Sequence, residues 1–132
     1  VRDVKNLRKR CDVVIVSMHA GIEYARKPIK SQIAFAHAAV DAGASLVIGH
    51  HPHVIQTEEL YRGAPIFYSL GNFVFDQYQR EGTQHGEIAE VAFLGTRVFL
   101  VNTWPVRITP TGPELEKSYQ PPVARSMWPP NF

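Results

Sequence analysis

Leu46-Val47-Ile48-Gly49-His50-His51-Pro52-His53 is the stretch on which both the fold and the chemistry of this chain turn. Its first half is a short, continuous apolar run, the pattern of a strand buried on both faces of a parallel sheet. Its second half sets imidazoles immediately beyond that run. Upstream, Val13-Val14-Ile15-Val16 is rich in β-branched residues and ends in Ser17-Met18-His19-Ala20-Gly21, so a second buried strand also delivers a histidine at its end. Between the two runs, Pro28 suits the first position of a helix. Ile29, Ile33, Ala36 and Val40 form its inward stripe and Gly43 its stop. A further amphipathic helix precedes the first run, with Val1, Val4, Leu7 and Cys11 on one face. Helix, strand, helix, strand predicts right-handed crossovers and a layered α/β fold.

Downstream the pattern changes. Ile55 to Tyr61 reads as a short strand, Arg62-Gly63-Ala64-Pro65 as a turn, and Ile66-Phe67-Tyr68-Ser69-Leu70 as a third apolar strand. Asp76 to His85 is a polar loop. Alternation from Ile88 to Leu94, the pair Gly95-Thr96 and the run Val98 to Trp104 predict a C-terminal β-hairpin. Residues 121–132 hold four of the ten prolines and read as an extended or loose tail.

At 132 residues, 45% apolar and 20% charged, the chain suits one small domain and excludes a disordered or fibrous class. The net charge is +2, yet Arg2, Lys5, Arg8, Lys9 and Arg10 all fall in the first ten positions. Arg8, Lys9 and Arg10, in the last turn of the first helix, suit the negative end of its dipole and are read as a solvated helix end. The remainder carries nine basic and eleven acidic residues, which gives no nucleic-acid footprint and no support to strong capture of a polyanion. A single cysteine, Cys11, excludes an internal disulfide and is expected to be buried and inert. No apolar run is long enough for a membrane span, and no signal peptide is visible. The chain starts at Val1 inside a periodic pattern, so an upstream portion holding an anchor and half of a site is expected.

Ligands of open parallel sheets sit beyond the carboxyl ends of strands. His19 and the His50-His51-Pro52-His53 segment meet that edge from two strands. If the segment is extended, His51 and His53 point to one side while His50 points away. Neutral imidazoles suit Zn, Mn, Fe or Ni, so His19, His51 and His53 read as half of a metal site. Hydrogen-bonded loop histidines are the competing reading. Glu23, four residues after His19, reads as a surface carboxylate or as a group orienting an imidazole, with metal ligation a third role. Asn72, after Gly71, suits either a ligand-binding amide or a left-handed turn. His37 reads as structural and His85 as solvated. No phosphate-binding glycine loop, nucleophile elbow or His-Glu-x-x-His motif is present.

The segments Asp12 to Tyr24, Asp41 to Gln56 and Tyr68 to Phe75, in that order, resemble the CapA family of bacterial capsule synthesis or poly-γ-glutamate biosynthesis proteins. The resemblance spans roughly residues 1–105. That family looks like a branch of the calcineurin-like metallophosphoesterases. The resemblance implies a layered α/β sandwich of the metallo-dependent phosphatase type, present as a partial domain over 1–120 with a mixed sheet, and a Pro-rich tail over 121–132. It implies a Gly-His-x-His metal motif with His51 and His53 in ligand positions, and His19 as a strand-end ligand. Glu23, His50 and Asn72 are then candidates for substrate binding or for supporting the ligands. Divalent ions (Mn, Fe or Zn) would form a two-metal site completed by residues outside this chain, the chain matching the C-terminal half of the domain. Departures are Ala20 where the family usually has Trp, and Ser45 where it usually has Asp. The implied function is capsule or poly-γ-glutamate synthesis or export with phosphoester hydrolysis. Alternatives are a non-catalytic accessory domain for an anionic polymer, or an amide hydrolase acting on poly-γ-glutamate. Expected partners are an anionic polymer or phosphoester substrate and a capsule synthesis complex, at the cell envelope or extracellular face.

Overall fold

The computed structural model describes residues 1–116 of the protein, so the tail expected over 121–132 lies outside the described residues. The elements in order are α1 (Arg2–Arg8), β1 (Ile15–His19), α2 (Lys30–Asp41), β2 (Leu46–His50), β3 (Glu58–Tyr61), β4 (Ala64–Phe67), β5 (His85–Leu94), β6 (Arg97–Thr109) and β7 (Gly112–Leu115). A mixed sheet runs β1-β2-β4-β3, and an antiparallel sheet runs β5-β6-β7. β1 and β2 are parallel, as the helix–strand order predicts; β4 is also parallel to β2, and β3 returns antiparallel on β4.

The alternation of side chains sorts the core into two layers. Val47, Ile66, Tyr68 and Met18 point to the α2 side and pack with Ala36, Ala39 and Val40. Leu46 and Phe67 point the other way and pack against Val98 and Val101 of β6. The fold is thus helix on sheet on sheet. Each fully buried Ile, Val or Tyr on these faces contributes on the order of 2 kcal/mol by removal from water. The small Ala36 and Ala39 let α2 approach the strands closely.

Several expectations need correction. β1 is not buried on both faces: it is the sheet edge, and Ile15, Ser17 and His19 are exposed on the side that the β5-β6-β7 sheet does not reach. α1 buries no residue, because Val4 alone reaches the core margin while Val1 and Leu7 face solvent. For the same reason Cys11 is exposed and not a core residue. α2 begins at Lys30 with Ile29 as its cap, two residues later than Pro28 suggested. Its buried face includes Gln32, whereas Ile29 is half-buried. The 62–65 turn is tighter than expected. Arg62 and Gly63, at φ 50° and 84°, make the whole reversal, and Ala64-Pro65 already belong to β4. The third strand accordingly ends at Phe67. The hairpin forms through Gly95-Thr96 as expected, and β7 adds a third strand that the alternation did not reveal. His85 is the first residue of β5, bonded to Glu116 at 2.8 Å, and so is not a solvated loop residue.

Candidate metal centre

Parallel register sets His19 of β1 opposite His50 of β2 at the carboxyl ends of both strands. The loops that leave these ends are tied to each other. The Ala20 N–H donates to the His50 carbonyl at 3.1 Å, and the Tyr24 N–H donates to the Pro52 carbonyl at 2.8 Å. Two buried amides lace the same loops from behind. Gln32 accepts from the Ile29 N–H at 3.0 Å and donates to the Ala20 carbonyl at 3.0 Å and to Gln56 Oε1 at 3.1 Å. Gln56 then donates to the Ala25 carbonyl at 2.7 Å. These buried amides satisfy one another, so they fix the loops without leaving desolvated donors.

The end of β2 is sterically set. A Cβ on Gly49 would collide with the Tyr68 carbonyl oxygen, so only glycine lets the strand run this close to the chain after β4. Beyond it, His51 and His53 do not continue extended. Their φ values are 103° and 60°, in the left-handed region that non-glycine residues avoid. The expected extended His51-Pro52-His53 geometry is therefore wrong; the segment is a bend. The rings nevertheless share one rim. The His51 ring centroid lies 5.0 Å from that of His19 and 6.2 Å from that of His53. Backbone strain of about 1–3 kcal/mol per residue persists only where surroundings impose it, and it concentrates at functional sites.

His53 has a defined orientation. Its Nδ1 lies 2.9 Å from Asn72 Oδ1. Asn72 is buried, and its Nδ2 donates to the Thr83 carbonyl at 3.0 Å and to Gln77 Oε1 at 3.3 Å. A carbonyl can only accept, which fixes the Asn72 amide so that its oxygen faces His53. His53 therefore donates from Nδ1, and in the neutral ring Nε2 keeps its lone pair. The loop expected only to be polar supplies this support: Gln77 also donates to Tyr24 Oη at 3.2 Å, and the Thr83 hydroxyl donates to the Gln77 carbonyl at 2.6 Å. Tyr24 in turn has the Arg80 guanidinium 4.4 Å from its ring centroid. No sequence pattern marked Tyr24, Gln77 or Thr83; the only signal was a polar loop rich in amides between two apolar segments.

His50 is half-buried. Burial, and secondarily the neighbouring His19, hold its imidazole below the ordinary histidine value. Glu23 is exposed on the loop after β1 and is not drawn into the histidine group. The exposed Phe75 forms an apolar lip with its ring centroid 5.3 Å from that of His53.

The donor chemistry suits a borderline divalent ion, since these are imidazoles and one ring is already oriented by an amide. The number does not suffice. Among the described residues, no three His, Cys, Asp or Glu side chains are grouped closely enough to hold a metal ion. A complete coordination sphere would need ligands from elsewhere.

Comparison with known proteins gives a consistent picture. The chain is 58% identical over 66 residues to the "Capsule biosynthesis protein CapA" of Bacillus anthracis, a match covering 50% of this chain and 16% of that protein. It is 50% identical over 74 residues to the "PGA biosynthesis protein CapA" of Bacillus subtilis (strain 168), covering 56% of this chain and 20% of that protein. It is 39% identical over 83 residues to a "Probable polyglutamine synthesis accessory protein" of Mycobacterium tuberculosis, covering 63% of this chain and 22% of that protein. The matched stretch thus spans less than a quarter of the length of these relatives. The sequence model described as "Bacterial capsule synthesis protein PGA_cap" matches residues 1–77, which carry β1, β2, β4 and every rim histidine. With more than half of its residues inside that match, the chain belongs to the bacterial capsule synthesis protein PGA_cap family.

Proposed function

We propose that this chain forms one wall of a divalent-metal site in a cell-envelope protein of capsule or poly-γ-glutamate synthesis, and that the site hydrolyses a phosphoester. The family and the names of the Bacillus relatives support the biological role. One observation carries the metal reading: two non-glycine residues in succession around Pro52, His51 and His53, hold left-handed backbone beside the His19 ring. A bound divalent ion would supply Lewis-acid polarisation and an activated water. The chain's own residues hold and orient. His53 is locked with Nε2 outward by Asn72, His19 is presented by the end of β1, and His51 lies between them.

Calorimetric titration of Mn2+ and Zn2+ into the protein tests the reading. His19→Ala, which removes a ring from unstrained strand backbone, should weaken binding by at least about tenfold, as should the double variant His51→Ala/His53→Ala. Equal binding by wild type and both variants would end the metal reading.

A second reading is a non-catalytic accessory role in handling an anionic polymer. The described name of the Mycobacterium relative favours it, and so does the incomplete ligand group. Turnover of a chromogenic phosphodiester by the protein, abolished by chelator, would select the hydrolase.

A further inference from the structure

We propose that a cavity at the opposite end of the mixed sheet from the histidines is a binding site for an oxyanion, carboxylate or phosphate. The cavity holds about 390 Å³ and is lined by Arg8, Arg62 and Arg97 together with Gly43, Ser45 and Thr96. It sits where β2 and β4 begin, whereas the histidines sit where β2 ends, about 15 Å away at ~3.3 Å per residue.

The three arginines come from three separate parts of the chain: the last turn of α1, the β3–β4 turn and the start of β6. Among the described residues, no acidic side chain lines the cavity. Arg62 Nη1 forms a 3.0 Å ion pair with Asp41, and its guanidinium lies 5.6 Å from the Tyr61 ring centroid. Arg8 uses Nη1 for the Cys11 and Asp12 carbonyls at 2.9 and 2.7 Å. A guanidinium has five N–H donors, so these bonds orient Arg8 and Arg62 while leaving further donors for a ligand. The seating of Arg8 is built in. Gly43, at φ 109°, has no Cβ, and one placed there would lie 2.8 Å from Arg8 Cγ. The glycine that ends α2 therefore also lets the Arg8 stem lie across that helix end. Guanidinium forks are the preferred protein partners of carboxylate and phosphate oxygens. Arg8, read from the sequence as part of a solvated cluster, thus has a directed position, and a chain with a nearly neutral body acquires a local anion-binding patch.

The competing account is that the arginines only offset the carbonyl end of α2. Titration of two probes, inorganic phosphate and a γ-linked glutamate decamer, followed by backbone amide NMR shifts, separates the two accounts. Saturable shifts of Gly43, Ser45, Gly63, Thr96 and Arg97 are expected, weakening as salt rises. The double variant Arg62→Gln/Arg97→Gln should weaken binding about tenfold with its melting temperature little changed, while the exposed Lys30→Gln should not. Binding of the decamer alone assigns a carboxylate ligand. Binding of phosphate alone assigns a phosphate ligand. No saturable shift at these amides with either probe, or equal affinity in the double variant, overturns the proposal. Because the readout lies at the far end of β2 and needs no metal, its failure leaves the histidine reading untouched, and the reverse also holds.

Discussion

Histidines occupy two very different settings in this molecule. On the α2 side, His37 is saturated. Its Nε2 lies 3.0 and 3.1 Å from the two oxygens of Glu59, and its ring stacks on Tyr61 with centroids 3.8 Å apart and planes 4° apart. Glu59 also accepts from the Tyr68 hydroxyl at 2.6 Å. At the strand ends, by contrast, His51 and His53 stand on left-handed backbone, and the rings there mainly face one another. The first arrangement stabilises the fold; the second costs stability and leaves donor atoms for something else. Residue type does not distinguish them. The partners and the backbone torsions do.

The largest effect that would break this contrast is expected from Gly49→Ala. The added Cβ meets backbone that cannot rotate away, so a loss of about 3 kcal/mol is expected by denaturant unfolding, with collapse of the rim geometry. Asn72→Ala comes next, at about 2 kcal/mol, because it strips a buried amide from the Thr83 carbonyl and from His53. Its sharper readout is nitrogen NMR of His53: the wild-type ring should carry its proton on Nδ1, and the variant should lose that preference.

Glu59 probes the saturated setting. Burial pushes its carboxyl up, but the hydrogen bonds from Tyr68 and His37 outweigh this and hold it below the ordinary carboxylate value. Its contribution is therefore full above the ordinary carboxylate range and is lost as pH falls through the lowered folded value. Glu59→Gln should flatten this acid limb of a stability–pH curve and cost about 1 kcal/mol at neutral pH. An unchanged acid limb would mean that the cluster contributes nothing. The smallest effect has the opposite sign. His51→Gly should gain about 0.5–1 kcal/mol, because glycine tolerates φ 103° and the strain relieved exceeds its entropy cost. Loss of stability in that variant would show that His51 is held for structural reasons.

Much of the framework is readable from residue order. Two apolar runs joined by a helix with an Ala36 and Val40 stripe give parallel β1 and β2 around α2, and Gly95-Thr96 gives the hairpin. The arrival of His19 and His50 at one sheet edge follows from that parallel arrangement. What escaped was set by packing between distant segments. Val13 to Val16 look doubly buried by composition, but a residue's second face is buried only if another layer extends over it, and here the second sheet stops short of β1. The left-handed torsions at His51 and His53 escaped because nothing in His-Pro-His encodes them; they are imposed by tethers such as the Tyr24 N–H on the Pro52 carbonyl. The resemblance offered Asn72 as a residue supporting the ligands; its particular bond to His53 was not legible because it depends on Thr83 and Gln77, whose placement comes from the 76–85 loop folding back.

The absence of clearance beneath Gly49 has a mechanical consequence. With the Tyr68 carbonyl filling the space a side chain would need, β2 cannot slide or tilt toward β4 when something arrives at its tip. Any adjustment of imidazole positions must come from torsions at residues 51–53, whose backbone is already displaced from its resting wells. Recognition at this end of the sheet is thus a matter of loop relaxation on an unyielding post.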